Sequence, residues 1–261
     1  YPIELKDVLM SIEKAKNDDR IKLIYLNFGE VNAGLSYIEE IRAKLVDYKT
    51  SGKQIIAYSN YYSQYSYLLC SVADKIYLNP NGFIDLKGIS ASVVFFKNLL
   101  AKIGVETQII RKGQFKSAVE PFTETKMSES SRLQTKLLIE DISEFMTNCI
   151  SEERNIEVSK INKDINELRL NSAAACKKLN YIDDILYEDQ LNDSLKLFSN
   201  STKIKTIALK NYVNVKLNNK QKISRNKIAV IYANGTISNN KGSINEIGTQ
   251  TITKSLTQAR E

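Results

Sequence analysis

The segment RKGQFKSAVEPF, residues 111–122, puts three basic residues within six positions and then turns at once to small and apolar ones. A solvated charged loop runs on into Ser, Asn, Asp or Gly. Here Lys116 is followed by Ser117, Ala118 and Val119, and then by Pro121 and Phe122. A lysine carried into a place that the chain is closing off is a candidate for chemistry, because an ammonium taken out of water gives up its proton more readily. The histidine count, which is zero, narrows the possibilities further. It removes the usual general base, the usual metal ligand and every Ser-His or Cys-His pair. Acid–base work inside this chain falls to Lys, Asp, Glu, Tyr or a terminus.

Two neighbours of Lys116 carry open alternatives. Ser117 stands either to hydrogen-bond to the amine or a substrate, or as a plain loop serine. Glu120 stands either to orient Lys116 or to face the positive end of a helix N-terminus. The three cysteines, Cys70, Cys149 and Cys176, are odd in number and widely spaced, with no Cys-x-x-Cys. They read as buried or free thiols rather than a zinc site or a disulfide framework.

The net charge of +7 raises the question of a nucleic-acid partner. The 37 basic residues are scattered among 30 acidic ones, however, and no run of five like charges occurs. The aromatic-rich stretch YSNYYSQYSYLL holds no Lys or Arg, unlike a basic groove with interleaved stacking residues. No nucleic-acid partner is expected. A chain with 43% hydrophobic and 26% charged residues and three prolines is an ordinary folded one. No apolar run approaches the roughly 18 residues that a membrane span needs. No signal peptide is visible, and the opening Tyr1-Pro2 reads as the start of a piece of something longer.

The elements that must position Lys116 follow an α/β pattern. Leu5, Val8, Leu9 and Ile12 share a helical face, and IKLIYLNF (21–28) is a nearly continuous apolar run, as in a parallel strand covered on both sides. Ile38, Ile41, Leu45 and Tyr48 repeat at helical spacing up to a stop at Gly52, and QIIAY (54–58) is the next strand. A helix over roughly 62–72, a short strand KIYLN, a helix VVFFKNLLAKIG closed by Gly104 and a strand VETQIIR follow. A long amphipathic helix then covers roughly 128–153, with Ser128 or a neighbour as its N-cap. Lys116 thus falls in a loop between a strand and a long helix, where α/β folds usually carry function.

After about residue 200 the texture turns polar and rich in Lys and Asn, and KIAVIYANGTI (227–237) begins a new buried strand. The ending SLTQARE (255–261) echoes SIEKAKN (11–17) in its Ser, aliphatic, Ala and basic positions. The expected organisation is a first domain over 1–200, a connector over 201–226 and the start of a second, similar domain over 227–261.

Three stretches carry a family resemblance: SGKQIIAYSNYYSQYSYLLCSVADKIYLNPNG (51–82), KGQFKSAVEPFTETKMSESSR (112–132), and KIAVIYANGTI with GTQTITKSLTQARE at the end. They resemble the signal peptide peptidase A family, also called protease IV, in its long tandem-domain form. The resemblance implies a ClpP/crotonase-like α/β fold with a parallel sheet and flanking helices. It implies a serine protease that degrades cleaved signal peptides and other apolar peptides with a Ser-Lys dyad and no cofactor. It also implies a homo-oligomer, held on the extracytoplasmic (periplasmic) side of the cell membrane by an N-terminal anchor not present in this chain. In such long forms the first half carries the lysine and the second half the serine, and by motif Lys116 matches the general base. The serine of the second half sits in a Ser-Gly-Gly turn ahead of a Tyr-Tyr helix and an Ala-Asp segment. Counting back from Ala73-Asp74, that place falls near Gln64, with no glycine pair, so this half lacks the nucleophile and the tight turn of an oxyanion hole.

A lysine base makes a physical demand. Free lysine titrates near about 10.4, and bringing it to about 7 requires roughly 4.6 kcal/mol of destabilised ammonium. Ala118, Val119, Pro121 and Phe122 are the apolar neighbours at hand. Tyr61, Tyr62, Tyr65 and Tyr67 stand either to line a groove for apolar peptide side chains or to pack in the core. Two other function classes remain: a non-catalytic structural or oligomerisation domain, and a crotonase-like acyl-CoA enzyme, which the missing glycine-rich oxyanion pair disfavours. A catalytic Lys116 should line a concave face; a structural one should sit in open solvent.

Overall fold

Apolar runs too continuous to face water and too short to be helices become a parallel sheet. The computed structural model describes residues 3–110, 112–113, 115–199, 203–216, 228–233, 235–243 and 246–260. They divide into two compact units, Tyr1–Leu217 and Asn218–Glu261. No helix among the described residues is long and apolar enough to cross a membrane.

The first unit opens with α1 (Leu5–Lys16), which buries Ser11, Ile12 and Ala15. Its terminal carbonyls lack intrahelical partners, and Lys53 Nζ supplies one, donating to Ala15 O, Lys16 O and Asp18 O at 2.8, 3.1 and 2.8 Å. Then come β1 (Leu23–Leu26), α2 (Leu35–Lys49) and β2 (Gln54–Ser59). Gly52 turns the chain between α2 and β2 at φ +78°, a conformation that costs a side-chain-bearing residue strain. After β3 (Tyr62–Ser63) and α3 (Gln64–Cys70) the chain returns as β4 (Lys75–Leu78) and β5 (Ile84–Asp85).

A long excursion follows: α4 (Lys97–Lys102), a 3₁₀ turn at Ser117–Val119, α5 (Glu120–Thr123), α6 (Glu129–Arg154), α7 (Val158–Asn166) and α8 (Ala173–Lys178). The chain comes back to the sheet as β6 (Asp184–Ile185) and finishes the unit with α9 (Glu188–Ser199) and α10 (Leu209–Tyr212).

The main sheet has the order β1-β2-β4-β6, every neighbouring pair parallel. Successive side chains of β2 point to opposite faces. Ile55 and Ala57 join the core that includes Ile38, Tyr48, Leu68 and Ile150. Ile56 and Tyr58 join Tyr77, Leu191 and Leu195, so α9 closes the other face. The sheet is therefore covered on both sides, the condition under which strands read as unbroken apolar runs. The α/β class with a parallel sheet and flanking helices is as expected from the sequence.

Polar side chains also tie the layers. The buried Arg42 of α2 donates through Nη1 to Leu68 O and, at 2.6 Å, to Ser71 Oγ, fastening α2 to α3. Tyr212 of α10 donates to Asp18 Oδ2 at 2.9 Å, and Lys14 Nζ reaches the carbonyls of Tyr212, Val213 and Val215 at 2.5, 3.1 and 2.9 Å. The polar stretch around residue 212 is thereby latched to the first helix.

Two expectations within this unit change in the structure. The helix over VVFFKNLLAKIG shortens to α4, which has no buried residue, and Val105–Ile110 pairs with no strand among the described residues. The reason is the same for both: isolated short helices and lone strands are unstable without an apolar partner. Nearly all of 90–110 is exposed. α6 shows the transition in one element. Its later turns bury Met146, Thr147 and Ile150, whereas Leu133, Leu137 and Leu138 of its early turns are each more than half exposed, at 53%, 51% and 59%.

In the second unit β7 (Thr236–Ser238) pairs in parallel with β8 (Glu246–Gly248), which leads into α11 (Thr249–Arg260). Of the strand expected over 227–237, the described residues show β7 alone. Residues 228–233 carry no strand pairing, with Ile228, Val230 and Tyr232 exposed, while Lys227 and Asn234 lie outside the described residues.

Candidate active site

Lys116 occupies the residue before the 3₁₀ turn Ser117–Val119, with φ −88° and ψ 73°. Gly113 sets up its approach. At φ +106° it adopts a backbone conformation that L side chains rarely reach, and the place its Cβ would take lies 3.7 Å from Lys116 Cγ. The lysine stem thus folds back over a glycine. After the turn, the N–H of Glu120 donates to Ser117 O, and α5 begins.

Three links among the described residues help to hold this turn in place. The N–H of Phe96 donates to Pro121 O at 2.6 Å, and the Phe96 and Phe122 rings stack with centroids 6.0 Å apart. Glu120, only 2% exposed, accepts from Ser128 Oγ at 2.7 Å and from the Ser128 N–H at 3.1 Å. Ser128 is the N-cap of α6, its Oγ accepting from the Ser131 N–H at 3.2 Å, as its residue type predicts. Of the two roles open for Glu120, the contact with a helix N-terminus is present, its carboxylate meeting the first residue before α6. The Phe96–Phe122 clamp joins residues 26 apart in sequence, and no spacing rule signals it; the Glu120–Ser128 pair spans eight residues and was visible only as two compatible residue types.

Lys116 itself is exposed, as are Phe115 and Phe122, at 55% and 45%. Among the described residues of this unit, the apolar neighbours expected to take the amine out of water do not do so. The physical reason is that they have little cover of their own: Leu99 of α4, Phe122 of α5 and Leu133, Leu137 and Leu138 of α6 are all exposed. Ser117 is half-buried in the turn. Beside the turn, a shallow groove between α4 and α5 is lined by Lys97, Leu100, Val105 and Phe122.

At the other place of interest Gln64 is the first residue of α3, and its side-chain oxygen accepts from the N–H groups of Lys87 and Gly88 at 3.3 and 3.1 Å. Ser63, beside it, is spent as the N-cap, accepting from the Ser66 N–H at 3.3 Å and bonded to Ser66 Oγ. The tyrosines divide. Tyr62 and Tyr67 are fully buried, donating to Tyr77 O and Tyr181 O at 2.9 and 2.7 Å, and are core residues. Tyr61 is partly exposed and stacks on Phe83. Cys70 and Cys176 are buried, and burial pushes the Cys176 thiol up to about 11, well away from a reactive thiolate. Among the described residues no group of three or more Cys, Asp or Glu could hold a metal ion.

The chain resembles known proteins over most of its length. It is 31% identical to Protease 4 of Haemophilus influenzae across 98% of its own residues and 43% of that protein. It is 26% identical to the chloroplastic serine protease SPPA of Arabidopsis thaliana across 97% of its residues and 38% of that protein. With Protease 4 of Salmonella typhi it shares 34% identity across 60% of its residues and 26% of that protein. The chain thus spans less than half the length of these relatives. Residues 47–201, more than half of the chain and including Lys116, Glu120 and Ser128, match peptidase family S49. With its parallel sheet and flanking helices agreeing with the ClpP-like fold of that family, the chain belongs to peptidase family S49.

Proposed function

We propose that this chain carries the lysine half of a Ser-Lys dyad in a serine endopeptidase that degrades cleaved signal peptides and other apolar peptides. The observation that carries the reading is Lys116, presented on a glycine-bent turn that is tied to the N-terminus of α6, in a peptidase-family chain without histidine. The neutral amine would take the proton of a serine hydroxyl as that oxygen attacks a peptide carbonyl, and would later return a proton to the leaving amine. The serine belongs to protein outside these residues, since the place near Gln64 offers an amide and a capping serine instead. The bare apolar surface around Lys116 supports the same division: the cover that a lysine base needs is brought by whatever brings the serine. Attachment to the extracytoplasmic face of a membrane and assembly into a homo-oligomer complete the proposal, the latter supported by the exposed Leu133, Leu137 and Leu138.

One observation favours a second reading. An exposed Lys116 is what a purely structural domain would show. Lys116→Arg in the intact parent protein separates the two, because arginine keeps the charge but cannot lose its proton. A base reading predicts a loss of about 10² to 10⁴ in kcat on an apolar fluorogenic peptide. A variant keeping more than about a tenth of normal turnover, far short of that range, assigns the chain a structural role.

A further inference from the structure

A carboxylate taken out of water is costly unless its oxygens are matched by donors. Glu120 is such a group, 2% exposed, four residues after Lys116. We propose that Glu120 is a positioning residue for Lys116, acting through Ser128 rather than by touching the amine; the proposal rests on the reading of Lys116 as the base.

The bonding pattern supports this. One residue, Ser128, donates to both carboxylate oxygens, its Oγ to Oε1 at 2.7 Å and its N–H to Oε2 at 3.1 Å. Two bonds to two oxygens fix the orientation of the carboxylate as well as its position. Ser128 Oγ in turn accepts from the Ser131 N–H at 3.2 Å, so the first turn of α6 is chained to Glu120. The anion lies at the positive end of that helix, where its charge is stabilised. The main chain of Glu120 reaches the other way: its N–H closes the turn onto Ser117 O, directly after Lys116. A single residue therefore joins the turn that presents the lysine to a helix whose later turns are seated in the core at Met146 and Ile150. The Phe96 bond to Pro121 and the Phe96–Phe122 stack secure the residues that directly follow Glu120. A base displaced by about 1 Å loses on the order of 10² in rate. Glu120 touches no substrate in this scheme, so its loss should fall on kcat and spare KM.

The test uses the intact parent protein and an apolar fluorogenic peptide, with active sites counted by a serine-directed fluorophosphonate. Glu120→Gln keeps the volume but replaces one acceptor oxygen with a donor. It is expected to lower kcat per titrated site about 10- to 100-fold, with KM changed less than twofold. Ser128→Ala should lower kcat in the same direction, Ser128→Thr should restore it by keeping the hydroxyl, and the Glu120→Gln, Ser128→Ala double variant should be no slower than Glu120→Gln alone. A Glu120→Gln enzyme with kcat within twofold of normal, or effects at 120 and 128 that multiply, would overturn the proposal. If Glu120→Gln does not fold, equal kcat in Ser128→Ala and Ser128→Thr overturns it. Lys116→Arg on the same preparation separates the two levels. If that variant stays active, the base assignment fails and takes this inference with it; if it is dead while Glu120→Gln is normal, only the positioning role falls.

Discussion

β2 and the segment Val105–Ile110 are both six residues long and both built around an Ile-Ile pair, yet they end in opposite places. Ile55 and Ile56 have no exposed surface, whereas Ile110 is fully exposed. The difference lies in their company. β2 has a parallel strand on each side and a helix layer over each face, while 105–110 pairs with no strand among the described residues. An apolar pattern states what a segment can bury, not what will bury it. The sheet is finished by residues inside this chain; the lysine-bearing arm is finished, on our reading, by residues outside it.

That contrast can be broken most decisively at the chemistry. The 261-residue chain alone is expected to hydrolyse no apolar fluorogenic peptide, its turnover indistinguishable from buffer. Turnover that persists in a protease-free preparation and vanishes in Lys116→Ala would mean that the site is complete here after all. In the intact protein Lys112→Arg, a change of a neighbouring cation, should leave kcat within about twofold, beside the loss of about 10² to 10⁴ expected for Lys116→Arg.

Stability sharpens the comparison. Ile56→Ala removes a side chain with no exposed surface and should cost about 2–5 kcal/mol, read as a lower urea midpoint at unchanged m. Next in size is the latch at Asp18. The Arg20 guanidinium, together with the bond from Tyr212, holds the Asp18 carboxyl well below the usual carboxylate range. A carboxyl depressed in the folded state stabilises above its unfolded pKa of about 3.9. This contribution should be complete above about pH 5 and drain away as pH falls below about 4 toward the folded value. Because Arg20 is largely exposed and solvent screens it, Asp18→Asn should cost only about 1.5 kcal/mol at pH 7. The variant and the parent should converge in melting temperature at the acid end; a gap that persists there would deny the charge its role. The smallest effect is expected on the arm. Leu137→Ser, at 51% exposed, should change the stability of the isolated chain by less than about 0.5 kcal/mol, yet weaken self-association in sedimentation. A chain that is monomeric at high micromolar concentration before the change would remove the apolar arm as a self-association surface.

Much of the fold could be read from residues. The runs at 23–26 and 54–59 became strands because their apolar density already implied cover on both faces. Ser128 was legible as an N-cap because its hydroxyl satisfies a helix amide wherever the helix goes. The 93–104 helix and the 105–111 strand were overestimated because periodicity contains no term for a missing partner. At the site, Lys116 stood out as a candidate through the family motif around it and the absence of histidine, but its exposure was not legible, since Phe115 and Phe122 look equally ready to be buried in either case. The destination of the Glu120 carboxylate was undecidable between two partners until α6 fixed where Ser128 stands.

α6 has a mechanical consequence. Twenty-six residues at a rise of about 1.5 Å make a rod of about 39 Å, seated in the core near Met146 and Ile150 and bonded at its first turn to Glu120 of the exposed arm. Such a cantilever magnifies small angular fluctuations at its clamp into displacements at its tip: over the roughly 26 Å from Met146 to residue 129, a tilt of about 3° moves that tip by about 1.3 Å. Backbone amides should exchange with solvent faster toward residue 129 than toward residue 154, a gradient that follows the opening free energy along the rod. On the reading of Lys116 as a base, a site hung from that tip gains geometric precision only when something grips both ends of the rod.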